Sequence, residues 1–169
     1  PIQDNFVELT TLDAIKKIEK HTKLDGLQIL IVEDNKINMF LAKTLVKRII
    51  PNAVILEGRD GQEGVEQFEV NKPDLILMDI TLKGEMDGIE ASKIINDRFG
   101  IPIVYITAHQ DEDTIEKTKG TNPYGDITKP LDDRDLNSAI NTAMYRRDVE
   151  DKLKDAEDKY FRLSENAPD

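Results

Sequence analysis

The sequence predicts a doubly wound α/β fold on a five-stranded parallel sheet, with a helix before it and a helical extension after it. Three observations carry that expectation. Between residues 27 and 148, short apolar runs alternate five times with amphipathic stretches of helical period, joined by short connections. The middle run, Asp74-Leu75-Ile76-Leu77-Met78-Asp79, is apolar without alternation, as suits a strand covered by helices on both faces. Four of the five runs end on chemically pointed residues, Glu33-Asp34, Asp79, Thr107 and Lys129. In a parallel sheet those ends share the edge where such sheets bind ligands.

Taken in order, residues 1–26 form an N-terminal segment whose Leu12, Ile15 and Ile18 keep a helical spacing, with Gly26 as a stop. The residues leave its placement open between packing on the fold, pairing with a second copy and ending an upstream linker. Leu27 to Val32 reads as the first strand, followed by a helix from Ile37 to Ile49. Phe40, Leu41, Leu45 and Val46 are expected on that helix's inner face, and Pro51 stops it. Ala53 to Leu56 is a strand and Gln62 to Val70 a helix; Leu75 to Met78 is the central strand, and Gly88 to Phe99 a helix entered through Asp87. Pro102 to Ile106 is a strand reaching Thr107, with a helix over about Asp111 to Lys119. Tyr124 to Thr128 is a short strand reaching Lys129-Pro130, and Asp132 to Arg147 is the last helix of the domain at 27–148. In the linker at 149–169, Val149, Leu153, Ala156, Tyr160 and Leu163 recur at spacings of 4 and 3, the pattern of a two-helix seam. The final helix thus reads as running out of the domain as a stalk, with parallel homodimerisation through the seam and packing of a single helix on its own domain as the two readings.

Composition narrows the functions. A net charge of −11 disfavours contact with nucleic-acid phosphates, which needs clustered Lys and Arg, so protein or cation partners are expected. The absence of cysteine removes disulfides and thiolate metal sites and suits a reducing, cytoplasmic setting. No apolar run approaches the roughly 20 residues that span a bilayer, and no signal-peptide pattern opens the chain, so no membrane contact by this segment is expected. Pro1 at the start is expected to reflect either removal of an initiator Met or a piece of a longer chain.

Taken singly, each strand-end residue has an ordinary explanation as a solvated acid, a turn threonine or a surface lysine. Together, three carboxylates at one rim repel unless a cation sits among them. A hard divalent ion with oxygen ligands answers that need, and Mg²⁺ fits because it takes one or two carboxylates and leaves positions for phosphate oxygens. Thr107 and Lys129 then offer a hydroxyl and a charge to a phosphoryl group.

Val32-Glu33-Asp34-Asn35, Met78-Asp79-Ile80, Met86-Asp87-Gly88-Ile89-Glu90, Ile106-Thr107-Ala108 and Thr128-Lys129-Pro130 together resemble the receiver domain of two-component response regulators. The resemblance covers about residues 27–148, in order and spacing. It implies a flavodoxin-like receiver fold with strand order 2-1-3-4-5. Asp79 would be the phosphoacceptor, taking its phosphoryl group from a histidine kinase or phosphotransfer protein. Glu33, Asp34, Asp79 and the Thr81 carbonyl would surround Mg²⁺, with Thr107 and Lys129 on the phosphoryl oxygens and a cis Lys129-Pro130 bond. By the same resemblance, Thr81 and His109 would stand at positions that border the attacking water and help set phosphoryl lifetime. Asp126 departs from the pattern, because that position is usually an aromatic switch and a charged acid fills an apolar pocket only at high cost. No turnover is expected beyond Mg²⁺-dependent self-phosphorylation and autodephosphorylation.

Two other readings compete. A phosphorylation-independent scaffold that works by pairing would not need the intact acids, threonine and lysine. A phosphatase-type hydrolase with an aspartyl nucleophile generally wants a second acid where Thr81 stands. At the C-terminus, Lys159-Tyr160-Phe161-Arg162-Leu163-Ser164-Glu165-Asn166-Ala167-Pro168-Asp169 resembles the start of a PAS sensor domain. That resemblance implies a fragment of a multidomain signalling protein, such as a sensor or hybrid histidine kinase.

Overall fold

The strands form in short runs, most of them apolar, and helices between them return the chain to the same edge. The computed structural model describes residues 24–108 and 112–167. In order, the elements are β1 (Gln28–Val32), α1 (Lys36–Ile49), β2 (Val54–Gly58), α2 (Gly61–Asn71), β3 (Leu75–Asp79), α3 (Gly88–Phe99), β4 (Ile103–Thr107), α4 (Glu112–Thr118), a 3₁₀ turn (Lys119–Thr121), β5 (Gly125–Thr128) and α5 (Asp133–Glu165). All strands are parallel, in the order β2-β1-β3-β4-β5. The doubly wound five-stranded sheet expected from the alternation is therefore the observed one. The expected N-terminal helix, with Leu12, Ile15 and Ile18, lies outside the described residues.

The period-2 geometry of the strands divides the core in two. Ile29, Ile31, Leu75, Leu77, Val104, Ile106 and Ile127 face α1 and α5, whereas Leu30, Val32, Ile76, Met78, Ile103 and Tyr105 face α2 and α3. Every residue of β3 and β4 is buried, which explains why their sequences do not alternate. Helix starts follow their caps: Asn35, Asp60, Asp87 and Asp132 each accept hydrogen bonds from first-turn backbone amides, and Asp87 with Glu90 forms a capping box.

One face was expected wrongly. Leu45 and Val46 are buried in α1, but Phe40 and Leu41 are exposed, and Met39 and Ala42 take their place in the core. Helix α1 carries more apolar residues than one face accommodates, and the buried stripe runs Met39, Ala42, Val46 at spacings of 3 and 4. Ile37 and Phe40, 78% and 72% exposed, form a second apolar stripe turned to solvent.

Helix α5 runs on past Arg147 without a break to Glu165, about 50 Å in all, so the expected stalk is a continuation of the last helix of the domain. Its first half packs Leu136, Ile140 and Ala143 on the sheet, and from Val149 every described residue is exposed. The root is fastened at the edge opposite the strand C-termini. Arg147 Nη1 donates to the Asp74 carbonyl at 2.7 Å, and Arg146 lies 4.2 Å over the Tyr124 ring and donates to the Pro123 carbonyl at 3.2 Å. Tyr124 and Arg146 both hydrogen-bond Glu150. Among the described residues no helix is long and apolar enough to cross a membrane.

Candidate functional site

Each site residue stands where a strand ends. Glu33 follows β1, and its amide donates to the Gly58 carbonyl at 3.0 Å. Its Oε1 accepts from the Asn35 amide at 3.0 Å, so the residue that caps α1 also orients the acid. Asp79 closes β3; its Oδ1 accepts from the Thr81 amide at 2.9 Å. Asp34 accepts from the Lys83 amide at 3.0 Å, which ties the β1–α1 loop to the β3–α3 loop. Gly88 backs the centre, because a Cβ there would lie 1.9 Å from the Asp79 carbonyl oxygen. No side chain larger than hydrogen fits that approach.

Lys129 completes the cluster from the other side of the sheet. Its amide donates to the Thr107 carbonyl at 2.7 Å, and the Lys129-Pro130 bond is cis. Its Nζ donates to Asp79 Oδ2 at 2.9 Å and to Glu33 Oε2 at 3.0 Å. Glu33 and Asp79 are buried, 3% and 2% exposed, while Asp34 is half-buried. Carboxylate oxygens of Glu33, Asp34 and Asp79 lie within 4.8 Å of one another. Among the described residues, three carboxylates face the Lys129 ammonium, an imbalance that a divalent oxygen-seeking cation would offset. The Thr107 hydroxyl is buried without a hydrogen-bond partner among the described residues. Such an orphan is uncommon in a folded interior and calls for an explanation.

The electrostatics follow from burial. Burial, and then the Asp79 charge, push the Glu33 carboxyl above its ordinary value, against the opposing hydrogen bonds from the Asn35 amide and Lys129. For Lys129, burial works against the charged form, but hydrogen bonds and charges from Asp79 and Glu33 outweigh it and hold the ammonium above its ordinary value.

Glu33, Asp34, Asp79 and Lys129 are thus brought together, with Thr81 bonded to Asp79 through its amide and Thr107 joined to Lys129 through its carbonyl. His109 lies outside the described residues. Asp126 is exposed on β5, in register with the buried Tyr105 of β4, and lines a groove of about 410 Å³ with Ser138 and Thr142 of α5. Tyr124 is committed to the root of α5. What sequence reasoning missed is the apolar ground beside the site: Asn38 and Leu41 with Lys129, Pro130 and Leu131 line a pocket of about 270 Å³, next to exposed Ile37 and Phe40. The only sequence signal for it is the surplus of apolar residues in α1.

A family described as "Response regulator receiver domain" matches residues 29–141. "Transcriptional regulatory protein PdtaR" of Mycobacterium tuberculosis is 37% identical over 120 residues, 70% of this chain and 57% of that protein. This chain therefore spans little more than half the length of that relative. Among solved structures, the signal receiver domain of a modulated diguanylate cyclase from Desulfovibrio desulfuricans G20 aligns with a TM-score of 0.68 and 29% identity, over 75% of this chain and 99% of that one. The N-terminal domain of a response regulator/sensory box/GGDEF 3-domain protein from Carboxydothermus hydrogenoformans gives 0.67 and 28%, over 73% and 98%.

Proposed function

The chain belongs to the response regulator receiver domain family, and from that premise we propose that Asp79 is its phosphoacceptor, loaded by a histidine kinase or phosphotransfer protein. The observation that carries the proposal is the clasp of Lys129 on both Asp79 and Glu33, beside the carboxylate cluster and the unpaired Thr107 hydroxyl. A carboxylate oxygen of Asp79 attacks the phosphorus of phosphohistidine, the P–N bond breaks with its electron pair going to the ring nitrogen, and the ring leaves as neutral imidazole, keeping the proton its other nitrogen already carried. Such a transfer asks the protein mainly for position and for compensation of charge on the equatorial oxygens. Lys129 meets that charge on one side, and the Thr107 hydroxyl gains the acceptor it lacks. Glu33, Asp34, Asp79 and the Thr81 carbonyl are the groups that would hold Mg²⁺, which when bound neutralises charge on the phosphoryl oxygens.

The exposed Ile37 and Phe40 stripe and the pocket beside Lys129 support docking of the phosphodonor next to the acceptor, since contiguous apolar surface marks interaction sites. The added charge of about −1.5 to −2 then biases a two-state arrangement of the sheet edge and α5. With Asp126 at the usual aromatic position, that bias starts from the Thr107 hydroxyl and not from an aromatic rotamer. We further propose that α5 pairs with a second copy through Val149, Leu153, Ala156, Tyr160 and Leu163 and leads toward a PAS-type sensor module, as in a hybrid kinase. The architecture named for the Carboxydothermus relative gives precedent for a receiver followed by a sensory box. A cytoplasmic setting suits the cysteine-free chain.

The test is incubation with Mg²⁺ and acetyl phosphate, read as a mobility shift on a phosphate-binding gel. Wild-type protein is expected to shift and Asp79→Asn to stay unshifted; a shift that survives the substitution would remove Asp79 from the role.

A further inference from the structure

The exposed half of α5 carries charges that choose between the two ways in which two such helices can pair. The seam spacing assigns Val149, Ala156 and Leu163 to heptad position d and Leu153 and Tyr160 to a, all of them on the free part of the helix. Leu153 and Tyr160 are 59% and 76% exposed, apolar surface that no described residue covers. Flanking the seam, Lys152 and Lys159 fall at g and Glu150 and Glu157 at e. In a parallel, in-register pair each g residue reaches the e residue five positions on in the partner, so Lys152 meets Glu157 of the partner subunit, twice by symmetry. In an antiparallel pair a faces d, g faces g and e faces e; with Leu153 set on Ala156 of the partner subunit, Lys152 would meet Lys159 of the partner subunit and Glu150 would meet Glu157 of the partner subunit.

We propose that α5 forms a parallel, in-register two-stranded coil with a second copy of this chain, held in that orientation by the Lys152 and Glu157 pairs. The inference rests on the proposed pairing of α5 and deepens it by fixing direction and register. Two heptads alone make a marginal helix, but this one grows from a nucleus already folded on the sheet, so its initiation has no separate cost. The seam has a defined upper end. Arg146, the next a position, is withdrawn onto its own Tyr124 ring and Glu150 is bonded to both, so helix contact begins at Val149. Both acceptor edges then lie at the far end from the stalk and face the same way. The Asp126 groove on β5 and α5 lies on the domain flank immediately above the seam.

The chain has no cysteine, so single-cysteine variants of the 169-residue protein report cleanly. Val149→Cys and Leu163→Cys, both at d, are each expected to cross-link to themselves under mild oxidation, and Asp158→Cys, on the outer face, to remain monomeric on a denaturing gel. In the antiparallel pair, like residues at either end lie about 16 Å or more apart, beyond disulfide reach. In sedimentation, Lys152→Glu should weaken the dimer about tenfold as two pairs turn repulsive, and Glu157→Lys in the same chain should restore it. A dimer whose Val149→Cys and Leu163→Cys variants fail to self-link overturns the orientation alone. A monomer at all concentrations overturns the pairing as well, and neither result touches phosphorylation of Asp79.

Discussion

Replacing Lys129 with Met keeps most of the side-chain stem and removes its ammonium from the carboxylate cluster. At separations of 2.9 and 3.0 Å the two ion pairs are each worth about 5–6 kcal/mol at an effective dielectric constant of 20. Part of that is recovered, because the lysine no longer has to be desolvated and Glu33 can take up a proton. Measured losses on breaking buried pairs run about 3–5 kcal/mol, and the 23% exposure of the Lys129 side chain argues for the lower end, about 3 kcal/mol. The assay is urea unfolding followed by circular dichroism, in chelator, at about pH 7.5 and again at about pH 5. Glu33 is already raised above its ordinary 4.5, and losing the Lys129 hydrogen bond raises it further. A raised carboxyl favours the folded state while protonated, and that contribution is lost as pH rises through the folded value. The deficit of the variant should therefore shrink toward pH 5, and millimolar Mg²⁺ should shrink it at about pH 7.5 by binding only the folded form. A deficit below about 1 kcal/mol at neutral pH, or one that grows toward acid, would refute the electrostatic account.

Other perturbations probe the same design. Asp34→Asn removes one of three like charges within 4.8 Å and should raise stability in chelator by about 1 kcal/mol while weakening the gain from added Mg²⁺; thermal melts with and without the ion would check both. Gly88→Ala forces a Cβ against the Asp79 carbonyl and should cost about 3 kcal/mol in urea unfolding, and a loss under about 1 kcal/mol would mean that the loop yields. Tyr124 is pushed up to about 12 by burial and by Glu150, so in an alkaline absorbance titration it should ionise well after an ordinary tyrosine, and Glu150→Gln should bring it down. Its stabilising contribution is present below about pH 10 and lost as pH rises through about 12, by the same linkage.

The sheet was legible because its strands are short, apolar and β-rich, and because β3 and β4 are buried on both faces and cannot alternate. The convergence of Glu33, Asp79 and Lys129 was legible for a topological reason: parallel strands bring their C-termini to one edge whatever their separation in sequence. Which face of α1 turns inward was not legible, since Ile37, Phe40 and Leu41 satisfy a helical period as well as Met39, Ala42 and Val46 do. Only the position of α5 across the sheet decides between them. The continuation of α5 out of the domain was legible because the a/d spacing from Val149 keeps a helical period while the composition around it turns polar. The fastening of Arg146 and Arg147 to Tyr124 and Asp74 was invisible, since each partner is 22 or more residues away and no period connects them.

On phosphorylation, the Asp79 carboxylate that closes the middle strand is expected to become an acyl phosphate. After treatment with acetyl phosphate and Mg²⁺, borohydride reduction converts an aspartyl phosphate to the corresponding alcohol, which peptide mass spectrometry can place along the chain. One reduced position is expected, Asp79, and none when the ion is withheld. Reduction at Asp34, at another acid or nowhere under conditions that load a known receiver would contradict it.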